Sequence, residues 1–282
     1  MGVYSVRKLS FILSNKKAVV GGCVLLFLVL VAIFAPVIAP YGPNETRFFP
    51  SLPPSREHLL GTTSLGQDIF SQVVWGTRLT LTVGLVTGSI CAFISTTIGL
   101  VAGYFGGWVD EVLSLITNVF LVLPGLPLMI IIAAYITVQS VVPIIVVISI
   151  TGWAWGARVL RSQMLTLKSR DYVKAAIVAG EPPLRIIFVE ILPNMLGLIV
   201  ANFFGAALYA VLSEAGLEFL GLGNVNAVTW GTILYWAQNN QAMLLGQAQW
   251  MVVPGLLIAI LGMSFALLNF AVDEMTNPRL RR

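Results

Sequence analysis

Few residues in this chain could act on a ligand, and their spacing limits what they could do. Glu214 and Glu218 stand one helical turn apart, a carboxylate pair suited to touching a substrate or a partner, or to capping a helix end and pairing with Arg78. His58 is the one histidine, and no Cys or His lies near it at ligand spacing, so no metal site is expected. No Ser/His/Asp or Cys/His set can form around it either. Cys23 and Cys91 both lie in long apolar runs, where a thiol behaves as a small hydrophobe. The stretch Gly61-Thr-Thr-Ser-Leu-Gly66 has the outline of a phosphate loop but lacks its lysine. The chain contains no Gly-Lys dipeptide, which excludes nucleotide binding by the P-loop route. Neither a catalytic residue, nor a metal, nor a bound cofactor is expected.

With so little chemistry of its own, the chain is defined by its solvent. Of 282 residues 57% are hydrophobic and 10% charged, and the mean hydropathy is +0.91. Soluble domains carry roughly 25% charged residues. A helix crossing the membrane needs roughly 20 apolar residues. Stretches free of Lys, Arg, Asp and Glu predict an all-α membrane protein with six transmembrane helices, near 18–39, 79–105, 112–137, 141–157, 195–213 and 251–272. The third and fourth share one charge-free run, Val112 to Ala157, divided near Gln139-Ser140 because it is too long for one crossing. The apolar run Ala18–Ala39 exceeds a signal-peptide core of roughly 7 to 15 residues and reads as a retained anchor.

Basic residues near helix ends are held on the cytoplasmic side. Placing the amino terminus there gathers Arg7, Lys8, Lys16 and Lys17, then Arg158, Arg161, Lys168, Arg170, Lys174 and Arg185, then Arg279, Arg281 and Arg282. Only Arg47, Arg56 and Arg78 remain outside, so thirteen of sixteen share one face and both termini are expected to be cytoplasmic. The short loop Gly106 to Glu111 departs from this pattern by carrying only acidic charge. The net charge of +4 is a matter of topology, and nucleic acid is not an expected partner. The resulting organisation is an N-terminal segment and first helix over 1–40, an extracytoplasmic loop over 41–78, a five-helix core over 79–275 and a basic tail over 276–282. The tryptophans Trp153, Trp155, Trp230, Trp236 and Trp250 fall near expected interfaces, as an aromatic belt would.

Three connections, 40–78, 158–194 and 214–250, exceed the 12 to 15 residues typical of plain loops and should carry function or hidden helices. In the cytoplasmic loop 158–194, Asp171 to Gly180 holds good helix formers with small and apolar residues at helical spacing, namely Tyr172, Ala175, Ala176 and Gly180. Gly180 and the prolines after it end that helix. In span three, Pro124, Gly125 and Pro127 are hinge candidates, since proline removes a backbone hydrogen bond. No Asp, Glu, Lys or Arg falls inside the expected spans, which disfavours ion-coupled transport.

The loop residues Lys174-Ala175-Ala176, Gly180 and Glu190-Ile-Leu-Pro193-Asn194 resemble the cytoplasmic motif of ABC-importer permeases. That motif is E-A-A, a glycine four positions later, then I-x-L-P; Lys174 stands where it has glutamate. Gly61-Thr-Thr-Ser-Leu-Gly-Gln-Asp68 with Trp75-Gly-Thr-Arg78, and Ser213-Glu-Ala-Gly-Leu-Glu-Phe-Leu-Gly-Leu-Gly223 with Trp230-Gly231, are similar to motifs of the peptide-type group, which includes dipeptide, oligopeptide, nickel and some oligosaccharide importers.

The resemblance implies a type I ABC importer permease fold in a prokaryotic cytoplasmic membrane and a non-catalytic, multi-pass subunit. Its partners would be a second permease in a heterodimer, two ATP-binding subunits carrying ATP and Mg, and an extracytoplasmic substrate-binding protein. Tyr172, Lys174, Ala175, Ala176, Gly180 and Pro193 would form the ATPase-coupling element. Peptides are the implied cargo, with oligosaccharides or nickel as alternatives. From another class, a stand-alone channel or secondary carrier would move its substrate without ATP.

Overall fold

The computed structural model describes residues 15–136 and 140–276, and among them the only regular secondary structure is helical. Arg7, Lys8, Gln139, Arg279, Arg281 and Arg282, with the tail from Asn277 onward, lie outside the described residues. Ten helices follow one another among the described residues: α1 Lys16–Ile38, α2 Ile69–Phe105, α3 Gly107–Val122, α4 Gly125–Tyr135, α5 Val142–Gly152 and α6 Ala154–Lys168. Then come α7 Asp171–Val178, α8 Pro183–Phe219, α9 Trp230–Asn239 and α10 Ala248–Thr276.

Four of these are unbroken and apolar enough to span a membrane, and two bent pairs bring the number to six. The first of these bends falls at the hinge candidates of span three, and the second was not expected. Between α3 and α4 the chain turns by 90°, and between α5 and α6 by 42°. Helices also run further than the charge-free stretches suggested. The second begins at Ile69 instead of 79, because Asp68 caps it by accepting from the Ser71 backbone. The fourth continues to Lys168. The fifth fills Pro183 to Phe219, so most of the expected loop 158–194 is helix and Glu214 and Glu218 belong to the span. A charged residue ends the apolar run without ending the helix, since the backbone hydrogen bonds continue past it.

Lipid offers no hydrophobic drive for helix association, so close packing of small residues has to supply it. α2 does this twice. A Cβ added at Gly84 would sit 2.6 Å from Val211 Cγ2, and one at Gly88 2.9 Å from Ala207 Cβ, so this pair seats α8. Gly99 and Gly103 seat α6, with Leu160 Cβ at 2.8 Å and Met164 Cβ at 2.7 Å from the corresponding positions. α1 lies on α10 through Ser264 Oγ, which donates to the Gly21 carbonyl at 2.7 Å. The opposite side of α1, with Phe27, Ile33 and Val37, is exposed and apolar, as a lipid face must be.

The start of α1 meets the end of α10: Lys17 pairs with Glu274, and Asn15 Nδ2 donates to Glu274 Oε2 at 2.9 Å. These two ends therefore share one side, as an even number of crossings requires. The acidic loop that broke the charge pattern is also accounted for, because Asp110 pairs with Arg161 of α6. Trp230, Trp250 and Trp153 are buried, at 0%, 1% and 6% exposure, and so do not form the expected belt, whereas Trp155 is 67% exposed.

Candidate functional site

The expected coupling segment is the short helix α7, and what fixes it is a residue the sequence pattern passed over. Val173 is fully buried among Leu100 and Tyr104 of α2, Leu160 and Met164 of α6, and Ile187 and Ile191 of α8. Ala176 packs against the same cluster. Tyr172, Lys174 and Ala175 are exposed, and so are Ile177 and Val178, the latter at 88%. The expected contact set is thus divided: Ala175 faces solvent, while Ala176 half faces the protein. Val173 and Ala176, apolar residues three positions apart and so on one face of the helix, are the signal that would have found Val173.

Gly180 closes α7 with φ of +78°, and its N–H donates to the Ile177 carbonyl at 3.1 Å. Space is not the reason for glycine, since a Cβ there would meet nothing within 4 Å; the left-handed backbone is. The second half of the motif sits in α8. Ile186–Ile191 form a π-helical turn in which the Leu192 N–H reaches the Ile187 carbonyl, just before the exposed Pro193. Asn194 Nδ2 donates to the Glu190 carbonyl at 2.7 Å and lies 3.4 Å from Tyr172 Oη, which ties α7 to the foot of α8. The wide turn accommodates a proline that supplies no N–H.

At the far end of α8, Glu214 and Glu218 are 0% and 1% exposed. The alternative of a pairing with Arg78 does not occur, because Arg78 lies inside α2 with its guanidinium over the Trp75 ring at 5.3 Å. Instead Thr229 donates to Glu218 Oε2, and Thr80 Oγ1 lies 3.5 Å from Glu214 Oε1. Thr229 also caps α9 by accepting from the Thr232 backbone at 3.1 Å, and the Trp230 N–H donates to Thr80 at 3.1 Å. Gly231 and Gly223 make room for the carboxylate: a Cβ on the first would lie 2.8 Å from Glu218 Oε2, and on the second 2.6 Å from Glu218 Cγ. In this conformation both acids are sealed beneath α9, out of contact with solvent.

The motif at Gly61–Asp68 is likewise a fastening. Gly61 and Gly66 have φ of +78° and +73° and abut the Leu52 and Phe48 carbonyls. Asp68 Oδ1 lies 2.9 Å from Nδ1 of the buried His58, and Gln247 Nε2 donates to the Thr62 carbonyl at 3.3 Å. The loop between α1 and α2 is thereby locked onto the adjoining ends of α2 and α10.

The hinge candidates lie at the 90° bend. Pro124 precedes the first residue of α4, Gly125, and Pro127 falls in its first turn. A cavity of about 530 Å³ opens beside this bend, between it, the α5–α6 joint, the middle of α8 and the last turns of α10.

Residues 95–282 match the family described as binding-protein-dependent transport system inner membrane component, and residues 12–54 match the N-terminal TM domain of oligopeptide transport permease C. The chain is 33% identical over 273 residues to the dipeptide transport system permease protein DppC of Bacillus subtilis (strain 168), covering 95% of this chain and 83% of that protein. It is 31% identical over 271 residues to the oligopeptide transport system permease protein OppC of the same organism, covering 95% and 88%. To the di/tripeptide transport system permease protein DppC of Pseudomonas aeruginosa (strain UCBPP-PA14) it is 33% identical over 277 residues, covering 95% and 89%. With its apolar spans, its bent helix pairs and this likeness along nearly its whole length, the chain belongs to the family of inner-membrane permease components of binding-protein-dependent transport systems.

Proposed function

We propose that the chain is one of two related permease subunits of an ATP-driven importer of di- and oligopeptides, with both termini cytoplasmic. Two ATPase subunits would supply ATP hydrolysis with Mg, a substrate-binding protein would deliver cargo at the outer face, and the pore would lie between the two permeases. The observation that carries this reading is α7, an apolar, solvent-facing helix fastened by Val173 to the inner ends of three spanning helices. A partner gripping that face moves α2, α6 and α8 together, because a packed cluster transmits displacement as a unit. Tyr172, Ala175 and Gly180 form the grip, Lys174 flanks it, and Ala176 and Pro193 belong to its mounting. The bend at Pro124, Gly125 and Pro127 is where the rest of the subunit would yield to that motion.

The test is ATP hydrolysis by the assembly that co-purifies with this chain in lipid nanodiscs, with its binding protein loaded with peptides or with oligosaccharides. Stimulation by peptide-loaded binding protein is expected. Stimulation by the oligosaccharide load alone would change the cargo. An absence of any co-purifying ATPase, with substrate movement in liposomes holding this chain alone, would replace the importer by a carrier. Gly180→Trp should insert normally yet abolish uptake, and wild-type uptake by that variant would remove the coupling role from α7.

A further inference from the structure

The cavity beside the 90° bend is shaped by glycines on one wall and by two polar side chains of α8 on the other. A Cβ on Gly125 would lie 2.9 Å from Tyr209 Oη and one on Gly152 3.1 Å from the Tyr209 ring, while one on Gly156 would run into the Asn202 amide. Tyr209 and Asn202 are seven residues, hence two helical turns or about 10 Å, apart on the same stripe of α8. Two other polar groups on the lining are already engaged: Asn269 Nδ2 donates to the Ala201 carbonyl at 2.8 Å, and the Thr151 hydroxyl donates to the Ile148 carbonyl at 3.1 Å. The Asn202 amide is not engaged in this way. Its Nδ2 is shielded from solvent and has no hydrogen-bond partner among the described residues. A donor held in that state costs free energy unless an acceptor sometimes arrives.

We propose that Asn202 donates to a backbone carbonyl of the peptide cargo as it passes through this subunit's half of the translocation path, which rests on the importer reading above. A carbonyl is the acceptor common to all peptides whatever their side chains, so a single amide donor suits a cargo defined by its backbone. Trp155, 67% exposed on the same cavity, offers an apolar ring to side chains that vary. The volume, about 530 Å³ in one subunit, falls within the roughly 300 to 1,000 Å³ of small-ligand sites.

The experiment uses the whole assembly in proteoliposomes with peptide-loaded binding protein. A benzophenone side chain at position 155 is expected to capture a radiolabelled tripeptide during turnover, and the same group at the exposed Phe93 of α2 is not. No capture at 155 in an importing assembly would overturn the cavity assignment. In Asn202→Leu, peptide taken up per ATP hydrolysed should fall about fivefold, the worth of one hydrogen bond, with ATPase stimulation retained. A thioamide in the tripeptide backbone, a weaker acceptor, should slow uptake by the wild type and make little difference to Asn202→Leu. Equal thioamide sensitivity in both, or wild-type uptake per ATP in Asn202→Leu, would overturn the role of Asn202. A wild-type assembly that hydrolyses ATP but never imports peptide would overturn the importer reading itself.

Discussion

At the foot of α8 the motif residues lie on the surface, with Ala175 and Gly180 open to solvent, whereas around its far end Glu214, Glu218, Thr229 and Trp230 are all buried. Both regions stand out in the sequence for the same reason, small and polar residues at regular spacing beside apolar runs. The first spends those residues on a surface that waits for a partner. The second spends them on packing, two carboxylates held between α2 and α9 by threonine hydroxyls and by glycines that leave them space. Motif density alone therefore does not separate a docking surface from a latch. Stability should be sensitive at the junction of α8 with α9 and insensitive at the exposed Ala175, and function should show the reverse at Ala175.

The sharpest test of that contrast is Gly231→Leu, which drives a side chain into Glu218 and the Ala215 backbone. Such overpacking should cost about 3 kcal/mol, read as a lower melting temperature of the purified assembly; an unchanged melt would mean that the junction is loose. Thr229→Val removes both the donor to Glu218 and the cap of α9. It should cost about 2 kcal/mol, and a melt equal to wild type would show that the carboxylate finds another donor. Gly180→Ala, strained by its left-handed backbone alone, should cost about 1 kcal/mol at the end of α7, visible as faster hydrogen exchange over 171–180; unchanged exchange there would deny that φ is the reason for the glycine. Ala175→Glu should change stability by less than about 0.5 kcal/mol and yet abolish ATPase co-purification and uptake. Retained co-purification would make α7 as passive as the outer latch is inferred to be.

Much of the architecture was legible because lipid imposes one dominant rule, a run of apolar residues for each crossing. The runs 18–39 and 251–272 were located almost in full for that reason. Helix ends were read less well. Asp68, Arg158, Arg161 and Arg185 interrupt the apolar pattern, but their charges sit at a cap, against Asn118 of α3, in the Asp110–Arg161 pair, or at the exposed base of α8, where helical geometry persists. Gly84 with Gly88, and Gly99 with Gly103, are small-x-x-x-small pairs open to anyone scanning for close helix contacts. Only the fold, however, shows that one pair faces α8 and the other α6.

The sequence by itself determined that the chain is helical and membrane-spanning, that it holds no P-loop, and that Asp171–Gly180 forms a helix ended by glycine. Composition and local backbone preference are properties of each segment alone. The tertiary structure decided what no segment carries: that Val173 anchors α7, that Glu214 and Glu218 are sealed under α9 and not paired with Arg78, that α3 and α4 part by 90°, and that Asn202 faces a cavity without a partner for its amide. Burial and hydrogen-bond satisfaction are set by what distant helices bring to a residue, and residues as far apart as Val73 and Trp230 meet only once α2, α8 and α9 have packed.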